Sequence, residues 1–250
     1  MTAITRLVRA ELRKLATARA VLITLAVSAG LAVTSVIATA SAAGHNGAAL
    51  STRDGANALL KLGIISCVAM LVLGILASGG EYRHKTIIPA MLITPRRGAL
   101  VTAKVIAVAI AGAALSALTF GVGLATAAAE LSAHGIHHLP AATASMLVGS
   151  VIAGTLFGVI GVALGYLTRS TVAAVVGAVG WVMFVEQVIL RTVAPQQLKW
   201  LVSGVASDLT TPIAHGTAPL PPATATAVLG GYALVLLAAA ARLVLRRDVT

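Results

Sequence analysis

The sequence predicts an all-α integral membrane protein with six transmembrane helices, and three observations lead to this fold class. Of the 250 residues, 58% are hydrophobic and only 10% are charged, whereas soluble domains carry about 25% charged residues. The hydrophobic residues are gathered in six long runs, each close to the roughly 20 residues that a helix needs to cross the hydrocarbon core. None of these runs shows the apolar–polar alternation that is typical of membrane β-barrels.

The first element, residues 4–15, is predicted to be an amphipathic helix that lies along the membrane surface. Its apolar residues recur at helical spacing, and three arginines, Arg13 among them, fall on the opposite face. A basic face of this kind rests at lipid headgroups. Glu11 breaks the pattern because it falls within the apolar arc. It either pairs with Lys14 one helical turn away or faces another protein.

Six predicted spans follow this interfacial helix and form a single transmembrane domain. They cover residues 20–42, 59–79, 105–129, 143–167, 171–190 and 224–241. The first could instead be a signal peptide, because Ala40-Ser41-Ala42 resembles a cleavage site. Its apolar run exceeds the 7–15 residues of a signal peptide, however, so we expect it to be retained as a span.

The distribution of basic residues predicts the orientation. With a cytoplasmic amino terminus, 14 lysines and arginines lie in inside segments and 4 lie in outside segments. Inside loops of membrane proteins are enriched in these residues. We therefore expect both termini to be cytoplasmic and the protein to reside in the cell membrane.

The fifth span contains the acid of greatest interest, Glu186. The 16 uncharged residues before it would make only about 24 Å of helix, too short to cross, so the span must include Glu186. An intramembrane acid is costly unless it faces protein or water. We expect it to pair with Arg191, Lys61 or Arg53, either as a structural ion pair or in a transport or gating role.

The remaining candidate sites indicate no chemistry of their own. Glu130 and three histidines lie near the second outside loop, but no HExxH motif is present. We interpret the histidines as solvated loop residues rather than metal ligands. Cys67 lies within an apolar run and is expected to serve packing. The small residues Gly154, Gly158, Gly161 and Gly165 predict a close helix contact, within the chain or between two copies.

The connection between the second and third spans, residues 79–104, is long and charged. The fourth and fifth spans are joined by only three residues, so a loop of this length is expected to contact a partner. The alternative is that it is a solvated anchor that only carries inside-positive charge. Its candidate contact residues are Glu81, Tyr82, Arg83, His84, Thr86, Pro95 and Arg96.

This loop resembles that of the ABC-2 type permeases of ATP-binding-cassette transporters, in the order E-Y-R-H-x-T, then T-P-R-R, then Lys104. The resemblance covers nearly the whole chain, including the segment Ala10–Arg19 and the acid-containing fifth span followed by a Trp-Leu pair. Two positions depart from the family pattern. Lys85 stands where a glycine is common, and Ser203 lies near where a proline often follows the Trp-Leu pair.

The resemblance implies the membrane-spanning subunit of an exporter. In that family a separate nucleotide-binding subunit hydrolyses ATP, and this loop forms a coupling helix that docks on it. The present sequence contains no GxxxxGK[ST] phosphate loop. We therefore expect no enzymatic activity and no cofactor in this chain, with ATP bound by the partner.

The implied partners are a separate ATPase subunit, a second copy or a homologous permease, and membrane lipids. Outward transport would occur by alternating access. A secondary transporter and a non-transporting membrane partner protein are the alternative functions. Nucleic-acid binding is not expected, despite a net charge of +11, because aromatic residues make up only 3% of the chain and no reading motif is present.

Overall fold

The computed structural model describes residues 3–43, 50–83, 97–140, 142–193, 195–211 and 220–246, and no strand occurs within these ranges. Apart from turns, these ranges are helical throughout. The helices are α1 Ala3–Thr17, α2 Arg19–Ala42, α3 Arg53–Leu59, α4 Gly63–Arg83, α5 Arg97–Ala133, α6 Thr143–Thr168, α7 Thr171–Gly180, a π-helix Trp181–Leu190, α8 Arg191–Val193, α9 Pro195–Leu198, α10 Val202–Thr210 and α11 Pro222–Arg246.

The predicted six-span helical fold is confirmed, because six helices are long and apolar enough to cross a membrane. They correspond to α2, α4, α5, α6, the joined α7 and π-helix, and α11. The main difference from the expected bounds is α5, which has 37 residues and begins at Arg97 rather than near residue 105. The orientation of the termini stays a prediction.

Helix α6 lies at the centre of the bundle, where it packs against α4, α5, α10 and α11. Its contact with α4 is the most extensive, and glycines make it possible. A Cβ atom on Gly161 would collide with the backbone of Leu71 and Ile75, and one on Gly74 would collide with the carbonyl oxygen of Gly158. The small residues of α6 therefore serve a close contact within this chain.

The fifth span changes its hydrogen-bonding pattern midway. It is α-helical from Thr171 to Gly180 and continues as a π-helix from Trp181 to Leu190. Such wide turns are rare and often occur at functional sites. This change of pitch was not predicted from the sequence.

Helix α10 is short but mostly buried. A Cβ atom on Gly149 of α6 would collide with the Leu209 carbonyl oxygen, and one on Gly63 would collide with the Thr210 side chain. This helix lies in the connection between the fifth and sixth spans.

Helix α1 packs against α5 and contacts the start of α2. Leu7, Leu12 and Leu15 are partly buried and Arg13 is exposed, whereas Glu11 is 4% exposed. The acid in the apolar arc therefore faces the interior of the bundle. That α1 lies along the membrane surface stays a prediction.

Candidate functional site

Four charged residues from three helices meet at the end of the bundle that carries the amino terminus. Lys104 Nζ of α5 lies 2.5 Å from Glu11 Oε2 of α1 and 2.8 Å from Glu81 Oε1 of α4. Lys14 Nζ lies 2.5 Å from Glu11 Oε1 and 3.7 Å from Glu81 Oε1. We call these four residues the charged cluster. It joins α1, α4 and α5 through side chains alone.

The members of the charged cluster differ sharply in exposure. The side chains of Lys104, Glu11 and Glu81 are 3%, 5% and 11% exposed, whereas that of Lys14 is 57% exposed. Buried charges are tolerated when they are paired and hydrogen-bonded. Lys104 is therefore the internal counterion of two acids, and Lys14 is the member open to the surroundings.

The pKa values of Glu11 and Lys14 both shift in the direction that favours the charged form. Burial opposes ionisation of Glu11, but the charge and hydrogen bond of Lys104, together with those of Lys14, outweigh it and lower the pKa of Glu11. Burial likewise opposes the charge on Lys14, yet the hydrogen bond and charge of Glu11 prevail and raise the pKa of Lys14.

The sequence analysis left two possibilities open for Glu11, and the ion pair with Lys14 is the one that the structure contains. The stronger link to Lys104 was missed. Three features of the sequence could have indicated this link. They are the acid Glu11 in the apolar arc of α1, the acid Glu81 near the end of the second span, and Lys104 at the predicted start of the third span. The sequence could not tell which of these ends would meet.

The predicted loop 79–104 needs correction at both of its ends. Glu81, Tyr82 and Arg83 belong to α4, and the segment from Arg97 to Lys104 belongs to α5. The Glu81–Lys104 pair lies within these helical segments. Glu81 therefore binds another part of this chain and is not a free loop residue.

Of the other predicted contact residues of this loop, only Tyr82 has a side chain within the described part of the structure. The Tyr82 ring packs edge-on against Tyr166 of α6, with the centroids 6.3 Å apart, and the Arg169 guanidinium lies 5.9 Å from the Tyr82 centroid. Tyr82 thus ties α4 to the α6–α7 hairpin. The side chain of Arg83 and the whole of His84, Thr86, Pro95 and Arg96 lie outside the described residues, so their predicted contact role stays a prediction.

A cavity of about 500 Å³ opens beside the charged cluster. All four members of the cluster line it, and so does Thr171 at the start of α7. The Thr171 Oγ1 and Glu81 Oε2 atoms are buried without a hydrogen-bond partner among the described residues. The cavity therefore combines charged groups with unused hydrogen-bonding capacity.

Glu186 forms the second polar site, within the predicted fifth span, and is 0% exposed. Its Oε1 accepts a hydrogen bond of 2.6 Å from Trp181 Nε1, and its Oε2 accepts one of 2.7 Å from the Ser203 amide. Ser203 is the second residue of α10, where backbone N–H groups lack partners within the helix. The carboxylate therefore caps α10 and joins it to the π-helix.

The cations expected to pair with Glu186 are not among these partners. Both recorded donors are neutral N–H groups. The side chains of Arg53 and Arg191 lie outside the described residues. A buried carboxylate is stabilised by hydrogen bonds to its charged form as well as by cations, and the orphan amide of a helix start supplies one. This partner was not predicted, because Ser203 lies in a separate helix and is brought to Glu186 only by packing.

The histidines that follow Glu130, which are predicted to lie on the outside, show no metal-binding arrangement. His134 Nδ1 lies 2.8 Å from the Glu130 backbone oxygen at the end of α5. Within the described parts of the chain, no three His, Cys, Asp or Glu side chains are grouped closely enough to hold a metal ion. Cys67 is buried among apolar residues of the core.

Comparison of the sequence with models of known protein families and with curated proteins gave no match.

Proposed function

We propose that this chain is the membrane-spanning permease subunit of an ATP-binding-cassette exporter, in the cell membrane with both termini cytoplasmic. A separate ATPase subunit would dock on residues 84–96, and two copies, or this chain with a homologous permease, would form the transport path. The resemblance to ABC-2 type permeases and the six apolar helices support this proposal.

The charged cluster is the observation that carries the proposal furthest. Residues 84–96 connect α4 to α5, and the Glu81–Lys104 pair joins these helices where they enter that segment. Glu11 ties α1 to the same lysine. A force applied to residues 84–96 would thus reach three helices together. A solvated anchor would require no such connection.

This arrangement changes the role we assign to Glu81. Its Oε1 atom is engaged by Lys104, so we regard it as a positioning residue that fixes the two helix ends. Contact with the ATPase is assigned to the segment that follows, with Thr86, Pro95 and Arg96 as the residues that the family resemblance implies.

The proposal is tested by reversing one charge in the docking segment. We expect Arg96→Glu to weaken co-purification with a nucleotide-hydrolysing subunit that binds the wild-type chain by about tenfold, because one charge-assisted hydrogen bond contributes about 1.5 kcal/mol. Stimulation of ATP turnover by the permease should fall in parallel. The matched control is Arg6→Glu, which reverses an exposed cation of α1 on the same predicted side of the membrane.

Equal binding of the ATPase by the two variants would remove the docking role from residues 84–96. If no nucleotide-hydrolysing protein binds the wild-type chain, the exporter proposal fails. Substrate uptake into vesicles driven by an ion gradient alone would then favour the secondary transporter. Absence of any transport would favour the non-transporting partner.

A further inference from the structure

A second cavity, also of about 500 Å³, lies between α2, α4 and the π-helix, and its lining is almost entirely apolar. Ile23, Val27 and Leu31 of α2 line it, and each of these side chains is more than half exposed. The cavity is therefore an open groove on the surface of the bundle, not a sealed void.

This apolar groove adjoins the cavity beside the charged cluster. Ala20 of α2 and Leu76 of α4 line both. The two cavities therefore meet at these two side chains, and we call them together the depression, with charged groups at one end and hydrocarbon side chains along the rest. A ligand that fills both must be amphiphilic.

The length of the apolar part fits one leaflet of a bilayer. The lining residues of α2 run from Ala20 to Leu31, a rise of about 16 Å at 1.5 Å per residue. Half of the hydrocarbon core is about 15 Å thick. Acyl chains that begin at the charged cluster would therefore end near the bilayer midplane.

The charged end selects the headgroup. Lys104 is enclosed by two carboxylates, whereas the Lys14 ammonium is more than half exposed and lies 2.5 Å from Glu11 Oε1 and 3.7 Å from Glu81 Oε1. An ammonium group has three N–H donors, so Lys14 retains donors for a ligand. The two acids and two lysines sum to zero charge, so an anionic group near Lys14 meets no net repulsion from the cluster.

We propose that this depression binds one phospholipid from the leaflet on the amino-terminal side, with its phosphate on Lys14 and its acyl chains in the groove between α2 and α4. Lipid tails cover every membrane protein, but a phosphate held beside a paired, mostly buried cluster gives this position a defined occupant. The site does not depend on the proposed export function.

The test uses the full-length protein, purified in detergent and mixed with dioleoylphosphatidylglycerol. We expect native mass spectrometry to show one retained lipid. Lys14→Gln should weaken retention about tenfold, because a lost charge-assisted hydrogen bond contributes about 1.5 kcal/mol. Lys14→Arg should restore it. The matched control is Arg9→Gln, which removes an exposed cation of α1 that does not line the cavity.

The groove is tested separately. Ala20→Phe should block the junction of the two cavities, and Ala26→Phe, an exposed position of α2 outside the groove, should not. A phosphatidylglycerol with a photoactivatable acyl chain should label wild-type residues 20–31 and 64–76 and lose that labelling in Ala20→Phe. In size-exclusion chromatography, elution of both variants at the volume of the wild-type protein would show that they are folded.

Equal losses in Lys14→Gln and Arg9→Gln would mean that a basic helix attracts anionic lipid without a site, and the proposal would fail. It would also fail if dioleoylglycerol, which lacks the phosphate, were retained as well as phosphatidylglycerol. Labelling spread evenly over all six spans would exclude the groove as the binding place.

Discussion

Lys104 shows how one residue can decide the arrangement of three helices. Its side chain is 3% exposed and lies within 2.8 Å of two carboxylates on different helices. Removing it would leave both acids in a poorly solvated place, with the exposed Lys14 as their remaining counterion in the cluster. Removal of one partner from a buried ion pair costs far more than replacement of all partners by neutral groups.

We therefore expect Lys104→Met to lower the free energy of unfolding by roughly 3–5 kcal/mol, measured by thermal unfolding in detergent. Combining it with Glu11→Gln and Glu81→Gln should restore most of the lost stability. Lys199→Met, on the predicted outer side, is the matched control and should have little effect. A triple variant no more stable than Lys104→Met would show that packing, not charge, is responsible.

The same cluster predicts how the docking of α1 depends on pH. The pKa of Glu11 is lowered below its ordinary value of 4.5, so its contribution is complete above about pH 4.5 and is lost as the pH falls through the folded-state pKa. The pKa of Lys14 is raised above 10.5, so its contribution is complete below about pH 10.5 and is lost at higher pH.

The protection factors of the α1 amides, which correct exchange rates for the intrinsic pH dependence of amide exchange, should therefore be highest between these limits and fall on either side. In Glu11→Gln the acidic limb should be weaker, because the carboxyl group whose lowered pKa produces it has been removed. If the acidic limb were unchanged in this variant, Glu11 would not be its source.

At the scale of the element, the fifth span illustrates what sequence patterns omit. Its place, and the inclusion of Glu186, followed from helix length and hydrocarbon thickness alone. The π-helix and the bond from the Ser203 amide did not, because both depend on where α10 packs in three dimensions. We expected cationic partners for Glu186 because acids commonly pair with bases. In the structure its carboxylate instead accepts hydrogen bonds from two neutral donors, the Trp181 indole and the Ser203 amide.

Glu186→Gln tests this view of the acid as a structural cap. The new side chain offers an NH₂ group to one of two N–H donors, so one hydrogen bond is lost. We expect the free energy of unfolding to fall by about 1.5–3 kcal/mol and the α10 amides to exchange faster with solvent. Glu130→Gln, whose carboxylate lies at the far end of α5, is the control. Unchanged stability with altered transport would assign Glu186 to transport instead.

The close packing of α4 against α6 at Gly161 leads to a second prediction at the scale of the element. Gly161→Ala would place a methyl group against the backbone of α4, which cannot move aside as a side chain can. We expect a loss of about 1–3 kcal/mol in thermal unfolding. Gly177→Ala, a helical position with open space around it, should be neutral or slightly stabilising. Equal effects would show that α4 and α6 can separate without cost.

For the whole molecule, hydropathy predicted the number and order of the spans because lipid leaves no other way to satisfy so many backbone groups. The bounds were good where an apolar run ended at a turn, as at Arg19–Ala42. They were short by several residues at the start of α5, where Lys104 was taken as the membrane edge. Its neutralisation by two acids is a tertiary effect that composition does not reveal.

The predicted orientation is open to a direct labelling test. Cys67 is the single cysteine and is 0% exposed, so added cysteines would be the reactive ones. In intact cells we expect a membrane-impermeant maleimide to label His137→Cys, in the outside connection, and to leave Thr168→Cys unlabelled until the membrane is permeabilised. The opposite result would invert the topology and place the charged cluster on the outer side.

The neutrality of the charged cluster has an electrical consequence. A transmembrane potential of 100 mV does work of about 2.3 kcal/mol on each elementary charge that crosses it. Two lysines and two glutamates that shift together carry no net charge, so voltage neither assists nor opposes their movement. A displacement of the cluster alone would therefore draw no energy from the membrane potential, and any voltage dependence in a movement of these helices would come from their other charges, such as Arg6, Arg9 and Arg13 of α1.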